Sequence, residues 1–179
     1  MRYLIAVAFL CPLPALADCP ATDYAALDAQ RTPFFDALRD AEDAGAGQRH
    51  ADKIWLSWRT APDAAAQEML DKGVRRIRLG DYAGAEATLD ELVAYCPDFP
   101  EGWNQRAFAR YLAGNYDGAL ADLDRTLVLE PRHFAAMAGR GLTFLKQGRT
   151  ELGHKAIREA VELHPFMNER HLLPPSEKI

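Results

Sequence analysis

Residues 114–118, with the sequence GNYDG, have the composition of an oxygen-rich metal loop. Asn and Asp side chains bind Ca²⁺ through oxygen, and glycine permits the sharp turn of such a loop. The same residue types also form tight turns between secondary-structure elements. The corresponding stretch at residues 148–152, GRTEL, has Arg149 where an oxygen ligand would be needed, and no regular series of ligands follows it. The sequence therefore favours a turn and predicts no metal site.

The histidines and serines do not form a pattern that is typical of catalysis. No histidine lies four residues from another, as in a helical metal pair, and none is placed with cysteine at zinc-site spacing. Ser57 and Ser176 lack the flanking glycines of a nucleophile elbow, and no GxxxxGK loop is present to bind phosphate. We therefore expect a protein that is not an enzyme and uses no cofactor. The histidines are His50, His133, His154, His164 and His171.

Residues 1–17 have the pattern of a secretory signal peptide. An apolar run follows Arg2, and the segment ends in a small-residue motif at residues 15–17. Pro12 and Pro14 interrupt the run well before the roughly 18 apolar residues that a membrane span requires. We expect cleavage before residue 18 and no membrane insertion afterwards.

Charge and composition exclude some classes of partner. The chain carries 21 Lys and Arg against 26 Asp and Glu, a net charge of −5, and loss of Arg2 leaves 20 against 26, or −6. No long run of basic residues offsets this charge, which argues against nucleic acid or anionic lipid as a main ligand.

The cysteines indicate a disulfide. Of the three in the chain, Cys11 lies in the signal segment, which leaves Cys19 and Cys96 in an oxidising compartment. A bridge that closes so long a loop stabilises the fold by about 4 kcal/mol in the chain-entropy model. The alternatives are two unrelated thiols, or a lipid anchor on Cys19.

A repeat of 34 residues organises most of the chain. Related turns begin at Gly80, Gly114 and Gly148, and prolines recur at positions 97, 131 and 165 with the same step. The units are 66–99, 100–133 and 134–167. In each unit the glycine ends a first helix and the proline ends a second. Small residues at places 8 and 20 let the two helices approach closely; they are Gly73, Ala107, Gly141, Ala85, Ala119 and Gly153.

At these positions the chain resembles the tetratricopeptide repeat (TPR) family, whose unit is a 34-residue helix-turn-helix. The resemblance covers residues 66–167 and is strongest in the second copy, where the matching residues are Trp103, Ala107, Gly114, Tyr116, Ala119, Leu123 and Pro131. It implies an all-α, right-handed solenoid of antiparallel helix hairpins. The sequence departs from the family at place 7, which holds Lys72, Arg106 and Arg140, and at place 11, which holds Arg76 and Arg110. We interpret Arg106 or Arg140 as an ion-pair partner of Asp122; a phosphate-binding basic ladder is the alternative.

The segments outside the repeats predict two caps. Residues 18–65 are interpreted as a degenerate hairpin, interrupted at the AGAG of residues 44–47, that caps the stack. Its Trp55 and Trp58 are expected to pack on the first repeat, or else to grip a ligand ring. Residues 168–179, with Leu172 and Leu173, are expected to fold back over the last helix, or else to leave that helix as an edge for another molecule.

The resemblance also implies a concave groove lined by the first helix of each unit. The residues carried over to it are Leu70, Val74, Ile77, Arg78, Asn104, Phe108, Tyr111, Leu112, Leu142, Leu145 and Lys146. Chaperone-binding family members hold a carboxylate with Lys, Asn and Arg at places such as 2, 5 and 9, which this groove does not match. Its apolar middle favours binding of an amphipathic polypeptide segment. The alternative is filling from within, by the segment around Tyr24 and Leu27 or by the C-terminal tail.

These observations predict an exported protein-interaction module, similar to periplasmic TPR proteins of Gram-negative bacteria, that binds another protein or peptide as an adaptor or assembly factor. The alternative function is a structural subunit that self-associates as a homo-oligomer through its C-terminal edge.

Overall fold

A computed structural model describes residues 19–175, and this part of the chain is helical, without strands. None of its helices is both long enough and apolar enough to cross a membrane. The predicted signal peptide, residues 1–17, lies outside the described residues, as do residues 176–179. The helices are α1 (Tyr24–Arg39), α2 (Ala44–Trp58), α3 (Ala64–Arg78), α4 (Tyr82–Tyr95), α5 (Pro100–Leu112), α6 (Tyr116–Leu129), α7 (Phe134–Lys146), α8 (Thr150–Leu163) and a short 3-10 helix, η1 (Asn168–Leu172).

The predicted helix-to-helix turns are confirmed. Gly80, Gly114 and Gly148 have φ angles of 76°, 83° and 73°, in the left-handed region that glycine adopts without strain. In the second copy the Asn115 side chain accepts a hydrogen bond of 3.0 Å from the backbone N–H of Gly118, which caps α6. The GNYDG stretch therefore contains the end of the turn between α5 and α6 and the first residues of α6.

The small residues at places 8 and 20 lie where the paired helices meet. A Cβ atom on Gly73 would stand 2.7 Å from the Leu89 side chain, and one on Gly141 would stand 2.6 Å from Ile157. Ala119 is fully buried at the equivalent position of the second pair. The three pairs α3–α4, α5–α6 and α7–α8 stack in sequence, with α4 against α5 and α6 against α7. This arrangement confirms the all-α helical repeat fold.

The N-terminal hairpin departs from the prediction. It does not cap the first repeat; α1 and α2 pack instead on the third, in a core cluster with Phe134, Ala138 and Ala160. The AGAG of residues 44–47 does not interrupt the hairpin but forms the first turn of α2, and Asp43 caps that helix. Gly47 lies directly against the ring of Phe166, where a Cβ would approach to 2.5 Å. The α1–α2 hairpin thus doubles back across the solenoid.

The C-terminal tail folds back over the last helix, as the favoured prediction had it. Leu173 is buried in a cluster with Ile157 and Val161 of α8, and Leu172 packs against the same cluster. This part of the α8 surface is therefore covered by the chain itself.

Cys19 and Cys96 lie within disulfide distance of each other, with a Cα–Cα distance of 5.2 Å. This pair places the segment before α1 beside the end of α4, so the N-terminal hairpin lies next to the first repeat at one end and packs on the third at the other.

Candidate partner-binding groove

The groove of this molecule is a channel between α2 on one side and the first helices of the repeats on the other. It contains two adjoining recesses. The first, here called the apolar recess, has a volume of about 260 Å³ and lies between α2, α5 and α7. Its lining residues are Trp55, Asn104, Gln105, Ala107, Phe108, Tyr111, Leu123, Ala135, Gly139, Leu142 and Thr143.

The apolar recess has one rim that is open to solvent. Phe108 is 47% exposed, although it is a large apolar residue, and Tyr111 and Leu142 are partly exposed beside it. An exposed aromatic ring next to an apolar cavity is a common feature of binding surfaces, because covering it removes apolar area from water.

The second recess, here called the α2–α3 slot, has a volume of about 480 Å³. Its lining residues are Asp52, Trp55, Leu56, Arg59, Val74, Arg78 and Gln105. Leu56 is 72% exposed on α2. Trp55 and Gln105 line both recesses, so the slot and the apolar recess lie next to each other.

Several predicted lining residues lie elsewhere. Leu70 and Ile77 are 2% and 8% exposed in the core of the first repeat, where they face α4 rather than the groove. Leu145 packs between α7 and α8, against Gly153 and the Ile157 cluster. These three side chains belong to the core because the apolar face of each first helix is wide enough to serve its own partner helix as well as the groove.

The remaining predicted residues fall into three groups. Val74 and Arg78 line the slot, whereas Phe108, Tyr111 and Leu142 line the apolar recess. Asn104 lines the recess but is only 8% exposed, since its side chain donates to Glu101. Leu112 and Lys146 are exposed at the ends of α5 and α7, outside the linings of both recesses.

Helix α2 is held in place by the start of the third repeat. Trp58 stacks on His133 with ring centroids 3.9 Å apart and the planes within 10°. Trp55 and Trp58 both contact Phe134 edge-on. The expectation that the tryptophan pair packs on the first repeat is therefore wrong: the pair packs on the third.

His133 belongs to a buried polar network. Its Nδ1 accepts a hydrogen bond of 3.2 Å from the backbone N–H of Ala136, so the ring proton lies on Nε2, which is 3.1 Å from Glu101 Oε2. Asn104 and Gln105 donate to the same carboxylate at 3.0 and 2.6 Å. The network thus connects the face of Trp58 to the recess-lining side of α5.

The loop between α6 and α7 contacts α1 through charged side chains. Arg132 donates to Asp28 at 2.6 and 2.9 Å and lies over the Phe35 ring at 4.4 Å. Arg31 pairs with Glu130 in the interior, where each side chain is 3% exposed. Burial raises the pKa of Glu130 in spite of the nearby arginine. Breaking this pair would leave an uncompensated buried group, which is costly. The Arg31–Glu130 pair therefore favours the one docking position of the hairpin in which both groups are paired.

The predicted inter-helix ion pair is present for one of the two arginines. Arg106 binds Asp122 through two hydrogen bonds of 2.9 and 2.7 Å, and Arg110 reaches the same carboxylate at 2.8 Å. Arg140 instead contacts Asp124 and Glu159. All three guanidinium groups are paired with carboxylates, so these arginines favour the ion-pair interpretation over a phosphate-binding ladder.

Within residues 19–175 no group of three or more His, Cys, Asp or Glu side chains is arranged to hold a metal ion.

Comparison with known proteins shows the family to which this chain belongs. Residues 70–127 and 109–168 match the family model described as tetratricopeptide repeat, and together they span more than half of the chain. The chain belongs to the tetratricopeptide repeat family. A TPR repeat-containing protein of Rhizobium etli is 29% identical over 132 residues, which are 74% of this chain and 65% of that protein. The chain thus spans slightly less than two thirds of that relative's length.

Solved TPR structures share the fold. The first TPR of Spaghetti, bound to an HSP90 peptide, has a TM-score of 0.57 at 22% identity and covers 58% of this chain and 82% of its own. The Sgt2 TPR domain of Aspergillus fumigatus has a TM-score of 0.55 at 17% identity, and the match covers 65% of this chain and 74% of that domain. A complex of the TPR2AB domain of yeast Sti1 has a TM-score of 0.55 at 15% identity, and the match covers 87% of this chain and 63% of that one.

Sequence reasoning missed that α2 forms a wall of this TPR groove. A signal was available, because Ala51, Ile54 and Trp58 give α2 one apolar stripe and Trp55 broadens it beyond what packing against α1 alone requires. The 34-residue period did not reveal this role, since the hairpin lies outside the regular repeats.

Proposed function

We propose that this TPR protein is a non-catalytic interaction module that binds a segment of another polypeptide in the apolar recess, and that it works as an exported adaptor or assembly factor. The observation that carries the proposal is the recess itself. Its walls are mainly apolar, with Phe108, Tyr111 and Leu142 at an open rim.

The dimensions of the recess favour an apolar anchor side chain of a partner segment. A volume of about 260 Å³ accommodates a large aliphatic or aromatic side chain, and covering the exposed part of Phe108 would add favourable burial. The Asn104 and Gln105 amides are engaged by Glu101, which leaves the middle of the recess with little capacity to bind a charged group.

The mode of binding differs from capture of a chain-terminal carboxylate. One structural neighbour is bound to an HSP90 peptide, which supports a peptide as the class of partner. At place 9, one of the positions that hold a carboxylate in chaperone-binding TPR domains, this chain has the apolar residues Val74, Phe108 and Leu142. We therefore assign the recognition to apolar side chains within the partner segment.

Photo-crosslinking in the native host tests the proposal. A photoreactive residue at Phe108 should form a discrete adduct with a second polypeptide, whereas one at Val128 should not. Val128 is the matched control because it is apolar and 70% exposed but lies on α6, outside the recess. Absence of an adduct at Phe108, or the same adducts at both positions, would contradict binding in the recess.

Export is tested separately. The pattern of residues 1–17 and the Cys19–Cys96 pair support a periplasmic location. Cell fractionation followed by N-terminal sequencing should find a mature chain that begins at Asp18 in the periplasm; a cytoplasmic chain that retains residues 1–17 would contradict the assignment.

A further inference from the structure

The α2–α3 slot carries two arginines that have no partner among residues 19–175. Arg59 follows the end of α2 and Arg78 lies in the last turn of α3; both are exposed and both line the slot. Neither side chain makes an ion pair or hydrogen bond with another residue of the described part of the chain. Arg106 and Arg110, by contrast, are each paired with carboxylates on neighbouring helices.

The local charge of the slot opposes the charge of the chain. The net charge of the whole sequence is −5, yet the slot lining contains two arginines and one carboxylate. That carboxylate, Asp52, already accepts a hydrogen bond of 2.8 Å from Gln48. The slot is thus a small positive region on an acidic protein, and it attracts negative charge.

Apolar groups lie beside the two arginines. Trp55, Leu56 and Val74 line the same slot, and the slot adjoins the apolar recess at Trp55 and Gln105. A polypeptide segment that places an apolar side chain in the recess and extends past Trp55 would therefore run next to both guanidinium groups. An acidic side chain a few residues from the anchor would reach them.

We propose that the α2–α3 slot selects partner segments in which acidic side chains stand close to an apolar anchor, with Arg59 and Arg78 binding the carboxylates. This inference rests on the proposed function, because the anchor occupies the apolar recess. Arg59 lies outside the three repeats, so this specificity is a feature of the α2 hairpin of this chain rather than of the repeats alone.

Selection from a random-peptide phage library with the purified mature protein tests the inference. The displayed peptides are joined to the coat protein at their C-termini, so an acidic preference reports side-chain carboxylates and not a chain end. We expect the enriched peptides to combine an aromatic or large aliphatic residue with neighbouring Asp or Glu.

Arginine variants identify the groups that bind the acid. With a selected synthetic peptide, Arg59→Gln and Arg78→Gln should each weaken binding by about two- to fivefold, the range of an exposed ion pair. Replacing the peptide's acidic residues by their amides should abolish the effect of both variants. Arg49→Gln on α2 and Arg75→Gln on α3 are matched controls, because they remove the same charge from the same helices outside the slot lining and should leave affinity unchanged.

The outcomes separate the two proposals. Enriched apolar peptides without acidic residues, or equal effects of slot and control arginines, would overturn the acidic preference and leave binding in the recess intact. Selection of no peptide at all, or selection that is unaffected by Phe108→Ser, would overturn both.

Discussion

Replacement of His133 by alanine tests how the N-terminal hairpin is held against the third repeat. The imidazole is fully buried, caps α7 through Ala136, donates to Glu101 and stacks on Trp58. Loss of a helix cap costs about 1 kcal/mol. Loss of a donor to a buried carboxylate costs about 1–3 kcal/mol, and an aromatic stacking contact contributes about 1 kcal/mol. We expect His133→Ala to lower the free energy of unfolding by about 3–5 kcal/mol in total.

Urea denaturation followed by tryptophan fluorescence and far-UV circular dichroism measures the loss. With a slope of about 2 kcal/mol per molar urea, the expected destabilisation shifts the midpoint by about 2 M. His133→Asn should recover about 1 kcal/mol of the loss, because asparagine is a good helix cap but cannot reach Glu101 or stack on Trp58.

A matched control is available on α8. His154 is partly exposed, and its side chain has no hydrogen bond with another described residue, so His154→Ala should change the unfolding free energy by no more than about 0.5 kcal/mol. If His133→Ala shifts the midpoint no more than His154→Ala does, the inferred role of the His133 network in docking the hairpin is refuted.

Three other predictions concern stability. Burial lowers the pKa of His164, so as the pH falls below about 6.5 the unfolded chain takes up a proton before the folded chain does. The free energy of unfolding should therefore decrease by up to about 1.4 kcal/mol for each pH unit of acidification, and a His164→Phe variant should lose this part of the difference between denaturation at pH 7.5 and at pH 5.5. Ala119→Leu should overpack the α5–α6 contact and cost about 1–3 kcal/mol by the same assay, whereas the exposed Ala121→Leu should be nearly neutral; equal effects would mean that the repeat register is wrong. The denatured, non-reduced mature protein should titrate no thiol if Cys19 and Cys96 are bridged, and a reductant should then destabilise it by about 4 kcal/mol; two titratable thiols would contradict the bridge.

The repeats were predictable because their determinants are local and periodic. A glycine such as Gly114 suits a position where the backbone takes a positive φ, and a small residue such as Ala119 suits a position where the two helices of a repeat approach closely. Each requirement recurs once per repeat, so three copies make the pattern visible without any structure. The turn at residues 114–118 and the Arg106–Asp122 pair follow from the same register.

The position of the N-terminal hairpin was not predictable in this way. The contacts that hold it join residues about a hundred positions apart in the sequence, such as Arg31 with Glu130 and Asp28 with Arg132. Each pair occurs once in the chain, so no period reveals it. The apolar stripe of α2 shows that the helix must be buried, but it does not show which surface buries it.

The sequence by itself determined the helical repeat, its register and its helix-to-helix turns, since these depend on residue types at fixed spacing along the chain. The tertiary structure alone decided that α2 forms a wall of the groove and that Leu70, Ile77 and Leu145 face the core. It also brought Arg59 and Arg78 to one slot. The physical reason is that burial and shape complementarity between distant segments, rather than local backbone preference, select the surface on which a hairpin docks.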